Sequence, residues 1–277
     1  MTVSQSQRLA TALASLRDRA GADFDTAIIL GSGLGHLADR VSGAVAIPYG
    51  EIDGFPVSTA PSHAGRLVLG ELFGGKVALM QGRFHLYEGW APQDIALAVY
   101  VLKGLGAKRL VVTNAAGALN PDYGPGEAMV ITDHLNFTGV NPLTGPNDET
   151  IGPRFPDMSR AYDPALLSAT VDAARDAGVP LHAGIYAGVA GPSLETSAER
   201  RYFRAAGGDA VGMSTVHEVI AAAHVGLPVL GLSAITNKAT GGPDQQPDTV
   251  EEVLANAEIS GRKIAAILET LLRRLDA

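Results

Sequence analysis

Apolar positions along the chain follow two rhythms. Leu9, Leu13 and Leu16 recur at helical spacing, which predicts an amphipathic helix ending near Gly21. The short run "TAIIL" at 26–30 predicts a buried strand. Residues 66–72 and 76–82 read as two strands separated by "FGG", a hairpin. Residues 92–106 predict a helix, with Pro92 in its first turn and Gly106 past its end. Further strands are expected within 109–117, where the strand runs into the small-residue loop "TNAAG", and at 128–136, 181–189, 209–213 and 228–236. Helices are expected at 163–178, 197–207 and 214–226. A last helix starts at Thr249, which with Glu252 fits a capping box, and runs to the C-terminus. Between 138 and 160 the chain is rich in Gly, Pro, Asn and Asp. Irregular segments of that length are usually functional or disordered.

Strands alternate with helices throughout, so the pattern predicts an α/β protein. The hairpin near residue 70 makes the sheet mixed. No linker, repeat or low-complexity tract interrupts the 277 residues, so a single domain over 1–277 is expected. The net charge of −8 argues against a nucleic-acid binder, which would carry a basic patch. There is no cysteine, which rules out disulfides and thiol chemistry and fits a reducing compartment. The N-terminal stretch lacks the apolar core of a signal peptide, and no run approaches a membrane span. The cytoplasm is the expected location.

Several strands end in small or polar residues: "GSGLG", "QGRFH", "TNAAG", "GMST" and "AITN". Ligands of open α/β sheets sit outside the carboxyl ends of the strands, so these loops could converge on one pocket. The alternative is that the glycines merely turn the chain. "GSGLG" is neither G-x-G-x-x-G nor a P-loop, because no ribose-binding acid and no lysine follow at the usual places. What remains is a nest of backbone N–H groups around Ser32, sized for a small anion. "QGRFHLYEG" places Arg83, His85 and Tyr87 at alternate positions, on one side of extended chain. Arg83 offers a planar fork for phosphate oxygens. A solvated loop with an Arg83–Glu88 ion pair is the plainer alternative.

"GSGLG", "SHAGRLVLG", "QGRFHLYEG", "TNAAGALN", "GPNDE" with "RFPDMS", "AGPSLETSAE", "VGMSTV" and "ITNK" occur in this order over nearly the whole chain. Together they resemble the trimeric purine nucleoside phosphorylases. The resemblance implies a twisted mixed β-sheet, partly barrel-like, flanked by helices. It implies phosphorolysis of 6-oxopurine nucleosides such as inosine and guanosine, giving free base and α-ribose 1-phosphate. By the same resemblance, phosphate is held by Ser32, Arg83, His85, the Ala115 backbone N–H and Ser214, with His63 beside it. Tyr87 and Met213 face the ribose, and Phe155 reaches the sugar of a neighbouring subunit in a homotrimer. Leu194, Glu195, Thr236 and Asn237 hold the purine, with Lys238 alongside; His85, Glu195 and Asn237 are the catalytic set. Inorganic phosphate is a co-substrate, and no metal or organic cofactor is expected. Without the resemblance, Glu195 would read as a helix-start carboxylate and Asn237 as a turn residue. A dinucleotide-dependent oxidoreductase and a non-catalytic nucleoside binder are the competing classes. The opening glycine spacing opposes the first and the full phosphate set opposes the second.

Three positions depart from the family pattern. Val250 stands where a histidine usually meets the ribose 5′-hydroxyl, which raises the alternative of 5′-modified substrates such as 5′-methylthioinosine. Leu194 replaces an aromatic residue against the purine face, keeping apolar contact but losing stacking. His217 occupies a position where proline is common and is expected only to alter the start of the following helix.

Overall fold

A computed structural model describes residues 3–60 and 63–275. Ser62 of the Ser-His-Ala-Gly motif lies outside the described residues. Helices α1 (Gln5–Leu16), α2 (Pro92–Gly104), α3 (Pro164–Asp176), α4 (Ser197–Ala205), α5 (Val216–His224) and α6 (Val250–Leu275) surround one mixed sheet. Its strands are β1 (Thr26–Leu30), β2 (Ser42–Pro48), β3 (Arg66–Leu72), β4 (Gly75–Gln81), β5 (Arg109–Ala118), β6 (Ala128–Asn136), β7 (Leu181–Gly188), β8 (Ala210–Gly212) and β9 (Val229–Lys238). The order is β2-β3-β4-β1-β5-β8-β7-β6-β9, and β9 also pairs with β5. That extra pairing closes β5, β8, β7, β6 and β9 into a ring, the barrel-like part of the fold.

Alternate residues of the central strands enter two cores. Ala27 and Ile29 of β1, with Ala78, Met80, Leu110 and Val112, face α1, α2 and α5. Ile28 and Leu30, with Val77, Leu79 and Val111, face α3 and α6. Both faces of β1 are thus buried, which is why its sequence is a continuous apolar run rather than an alternation. β1 runs parallel to β4 and β5, and β5 parallel to β9. The carboxyl ends of these four strands therefore lie along one edge of the sheet.

Three elements differ from the sequence expectation. β2 was not expected: of its residues only Ile47 is buried, so this edge strand shows no hydrophobic rhythm. α1 stops at Leu16 rather than near Gly21: of "RDRAG" only Ala20 packs against the core, and the Arg19 and Ala20 N–H groups close a turn on the Leu16 carbonyl. The small residues of "TNAAG" are strand, not loop; Asn114 to Gly117 stay paired with β9. At the start of α6 the Thr249 hydroxyl accepts from the Glu252 N–H at 3.2 Å, one half of the expected capping box.

The glycines of "GSGLG" carry the packing of the loop itself. A Cβ on Gly31 would stand 2.6 Å from the Thr113 carbonyl of β5. Gly33 has φ +82° and lies against the Ala257 backbone of α6, so a Cβ there would collide with the Ala257 carbonyl. The loop is clamped between a strand and a helix, and this fixes Ser32 between them. Gly33→Ala combines overpacking with a strained φ and is expected to cost about 3 kcal/mol. Urea denaturation of both chains measures it.

Candidate active site

The carboxyl ends of β1, β4, β5 and β9, joined by the segments before α4 and α5, enclose a cleft of about 180 Å³. Ser32, His63, Arg83, His85, Tyr87, Ala115, Leu194, Glu195, Met213, Ser214, Thr236 and Asn237 all line it. Residues scattered over 205 positions of the chain are thereby brought together. Three expected residues lie elsewhere. Val250 is 69% exposed at the start of α6 and is not part of the lining; Val253, one turn further along, is. Phe155 is 87% exposed and borders a separate hollow of about 580 Å³, with Asp133, His134, Arg154 and Met158 among its walls. Lys238 also lies outside the cleft lining and is exposed.

Arg83 forms one end of the cleft. Its side chain is 2% exposed, and its Nε lies 3.1 Å from Glu218 Oε1, itself 3% exposed. Nη1 donates to Ser214 Oγ at 2.9 Å and lies 3.4 Å from Thr215 Oγ1. Thr215 also accepts from Asn114 Nδ2 at 2.9 Å. The Ser214–Thr215 backbone is bent to allow this: Thr215 has φ +74°, and the Val216 N–H closes a γ-turn onto the Ser214 carbonyl at 2.8 Å. Such a turn is costly for a β-branched residue and persists where the surroundings enforce it. Arg83 Nη2 is buried and has no acceptor among the described residues. A guanidinium so placed calls for an anion.

Glu88 does not pair with Arg83. Its Oε1 accepts from the His85 backbone N–H at 2.9 Å and lies 2.8 Å from His85 Nδ1. Its Oε2 accepts from the Thr59 N–H at 2.5 Å, the Thr59 hydroxyl at 2.9 Å and the Ala60 N–H at 3.1 Å. Burial alone would raise this carboxyl, but His85 and Thr59 overrule it and hold it at about 2. The ionised carboxylate orients the imidazole through Nδ1 and leaves Nε2 for another partner. His85 stacks between His63 and Tyr87, with ring centroids 5.3 and 4.5 Å away. Burial, with His85 and Arg83 nearby, pushes His63 down to about 4, so it is neutral near pH 7.

At the other end stand Glu195 and Asn237. Burial raises the Glu195 carboxyl above its ordinary value, against the pull of Arg200. Asn237 Nδ2 donates to Asp248 Oδ1 at 2.9 Å, and its Oδ1 accepts from the Thr236 hydroxyl at 2.8 Å. Leu194 is 53% exposed at the rim. His217 does more than start a helix. It is buried, its Nε2 lies 3.3 Å from Thr138 Oγ1, and burial pushes it down to about 4. It ties α5 to the beginning of the long irregular segment.

A sequence profile described as the phosphorylase superfamily matches residues 25–273. The chain belongs to the phosphorylase superfamily. It is 49% identical over 248 residues to purine nucleoside phosphorylase 1 of Geobacillus stearothermophilus, spanning 90% of each chain. It is 46% identical over 252 residues to purine nucleoside phosphorylase of Bos taurus, spanning 89% of this chain and 87% of that one. The schistosoma purine nucleoside phosphorylase solved in complex with hypoxanthine matches at TM-score 0.93 and 37% identity over 99% of both chains. The Schistosoma mansoni enzyme in complex with inosine matches at TM-score 0.93 and 36% identity over 98% of both.

Within this superfamily member, Asn114, Thr215, Glu218, Arg200, Asp248 and Val253 were not singled out from the sequence. Glu218 carried a usable signal, a carboxylate directly before the apolar run "VIAAA" of α5. Arg200 and Asp248 carried none, since charged residues in polar stretches read as surface. Among the described residues no group of His, Asp and Glu is gathered as a metal site. Because Glu88 is held near 2 in the fold and titrates near 4.5 when free, it stabilises the fold above pH 4.5 and loses that contribution as pH falls toward 2. Denaturation midpoints measured from pH 5 to pH 2 should fall less steeply for Glu88→Gln than for the parent.

Proposed function

We propose that this chain cleaves 6-oxopurine nucleosides by phosphorolysis, with Arg83, Ser32, His85, Ala115 and Ser214 holding phosphate and Glu195 with Asn237 holding the base. The observation that carries this reading is one cleft with an under-satisfied buried guanidinium at one end and a carboxylate–amide pair at the other. The relatives named above as purine nucleoside phosphorylases, one of them solved with inosine, support it.

Glycosidic cleavage passes through an oxocarbenium-like state, with positive charge on the ribose and negative charge on the leaving purine. A phosphate dianion held by Arg83, Ser32 and Ser214 lies beneath the sugar, stabilises the cation and bonds to C1′. The C1′–N9 pair leaves with the base, and the anomeric centre inverts. The protein's contribution is positioning and fixed charge, with no covalent enzyme intermediate. His85, steadied by Glu88, supplies a further hydrogen bond to the anion. On the purine, Asn237 donates toward N7 as negative charge grows there, an interaction that strengthens in the transition state. Glu195 accepts from N1–H of a 6-oxopurine. Adenine offers a lone pair at N1 instead, a buried mismatch that discriminates strongly. The position of Val250 outside the cleft lining gives the 5′-modified substrates no support.

Release of hypoxanthine from inosine, followed with and without phosphate, tests the reading; absence of product with phosphate present would remove it. Ser32→Ala should raise the KM for phosphate more than that for inosine. The opposite pattern would place the loop on the wrong side of the sugar.

The active unit is a cytoplasmic homotrimer in which Phe155 closes the sugar site of a neighbour. Its 87% exposure beside the larger hollow supports this, because an aromatic side chain so bare on an isolated chain is suited to cover another surface. The expected solution mass is three times 28.6 kDa. Phe155→Ala should raise the KM for inosine about tenfold or more while leaving that for phosphate within about twofold. Light scattering and steady-state kinetics check the two expectations.

A further inference from the structure

The base end of the cleft contains a second buried ion pair. Arg200 projects from the first turn of α4 with its side chain 5% exposed, and its Nη2 lies 2.6 Å from Asp248 Oδ2. Asp248, 8% exposed, comes from the loop that leads into α6. The other oxygen of Asp248 accepts from Asn237 Nδ2 at 2.9 Å. The same guanidinium faces Glu195, with Nε 3.7 Å from Oε2. One arginine therefore touches the charge networks of both groups proposed to read the purine. The loop itself is seated on α4: Arg201 Nη1 donates to the Gly241 carbonyl at 2.5 Å, and a Cβ on Gly241 would collide with the Ser197 carbonyl.

The direction of these bonds matters more than their number. Asn237 could in principle present either its NH₂ or its carbonyl to a ligand, since an amide flips with little change of shape. The Thr236 hydroxyl does not choose between the two, because a hydroxyl both donates and accepts. Asp248 does. Its Oδ2 takes the Arg200 guanidinium, and a carboxylate bound to a guanidinium only accepts. A flipped Asn237 would set its carbonyl against that carboxylate, oxygen to oxygen in a buried site. The amide is held with Nδ2 toward Asp248, one N–H bound there and the second left for the ligand. N7 and O6 of a 6-oxopurine are both acceptors and match that N–H. The 6-amino group of adenine needs an acceptor, which an N–H turned toward the ligand does not supply.

We propose that Asp248, anchored by Arg200, is a positioning residue that locks the amide of Asn237 in its donor orientation and thereby adds to the selection of 6-oxopurines over 6-aminopurines. The inference rests on the nucleoside reading of the cleft. That reading is tested on the parent chain alone, by phosphate-dependent release of hypoxanthine, so its failure is visible before any variant is made.

Two variants test the lock. Asp248→Asn keeps the shape but supplies a neighbour that can donate or accept, which permits the flip. The variant Asp248→Leu removes the acceptor altogether and leaves Arg200 facing its second carboxylate, Glu195. In both, the ratio of kcat/KM for inosine to that for adenosine should fall about tenfold, with kcat for inosine lowered and the KM for phosphate within about twofold of the parent. A purely structural role would lower the melting temperature and move all the constants together. If either folded variant keeps the parent's inosine-to-adenosine ratio within about twofold, Asp248 does not set the amide and the proposal is overturned. If Asp248→Asn does not fold, Asp248→Leu decides by the same ratio.

Discussion

A guanidinium removed from water needs an acceptor for each of its N–H groups, and Arg83 is given some but not all. Glu218 neutralises it from α5 and Ser214 takes Nη1, while Nη2 stays without a protein acceptor among the described residues. Removing one member of such a pair is far more damaging than replacing both, because a lone buried charge is left behind. Much of the surrounding structure follows from this arrangement. The bent backbone at Thr215 brings two hydroxyls to the arginine, and Asn114 of β5 holds the second of them. The cleft is a place where the fold leaves part of a buried charge unsatisfied by its own groups.

The two ends of the cleft use one device in different ways. Arg83 presents its charge to the ligand and keeps Glu218 behind it. Arg200 turns its charge to the protein, to Asp248 and toward Glu195. The first arrangement suits a phosphate dianion, where charge itself is recognised. The second suits a neutral purine, where the direction of each hydrogen bond carries the information. Glu88 repeats the second pattern at the phosphate end, fixing the His85 ring through Nδ1 without facing the cleft.

Packing supplies the precision that these bonds need. Gly31 against β5 and Gly33 against α6 leave Ser32 no freedom to drift. α6 is tied back to the base end by Asn256, whose Nδ2 donates to the Thr236 carbonyl at 2.9 Å. The glycines of the first loop, open to reading as a phosphate nest, thus serve chiefly to bring strand, loop and helix into contact.

Local order was legible in the chain alone. The central strands and the helices carry their own signals, because burial on one or both faces imposes a period of two, a period near 3.6 or a continuous apolar run. β2 was invisible because only Ile47 is buried. The gathering of Ser32, Arg83, Ala115, Ser214 and Asn237 at one sheet edge could be anticipated from small residues at strand ends, and their roles from motif resemblance. The sequence could not display the partners. Glu218, Arg200 and Asp248 belong to segments with no common local pattern, and Glu88 lies beside Arg83 in the chain yet serves His85 instead. Whether a charge is solvated or buried, and whom it faces, depends on contacts between residues far apart in the chain. Only the folded sheet brings those together, and only then does Arg200, from a polar stretch that reads as surface, stand buried between Asp248 and Glu195.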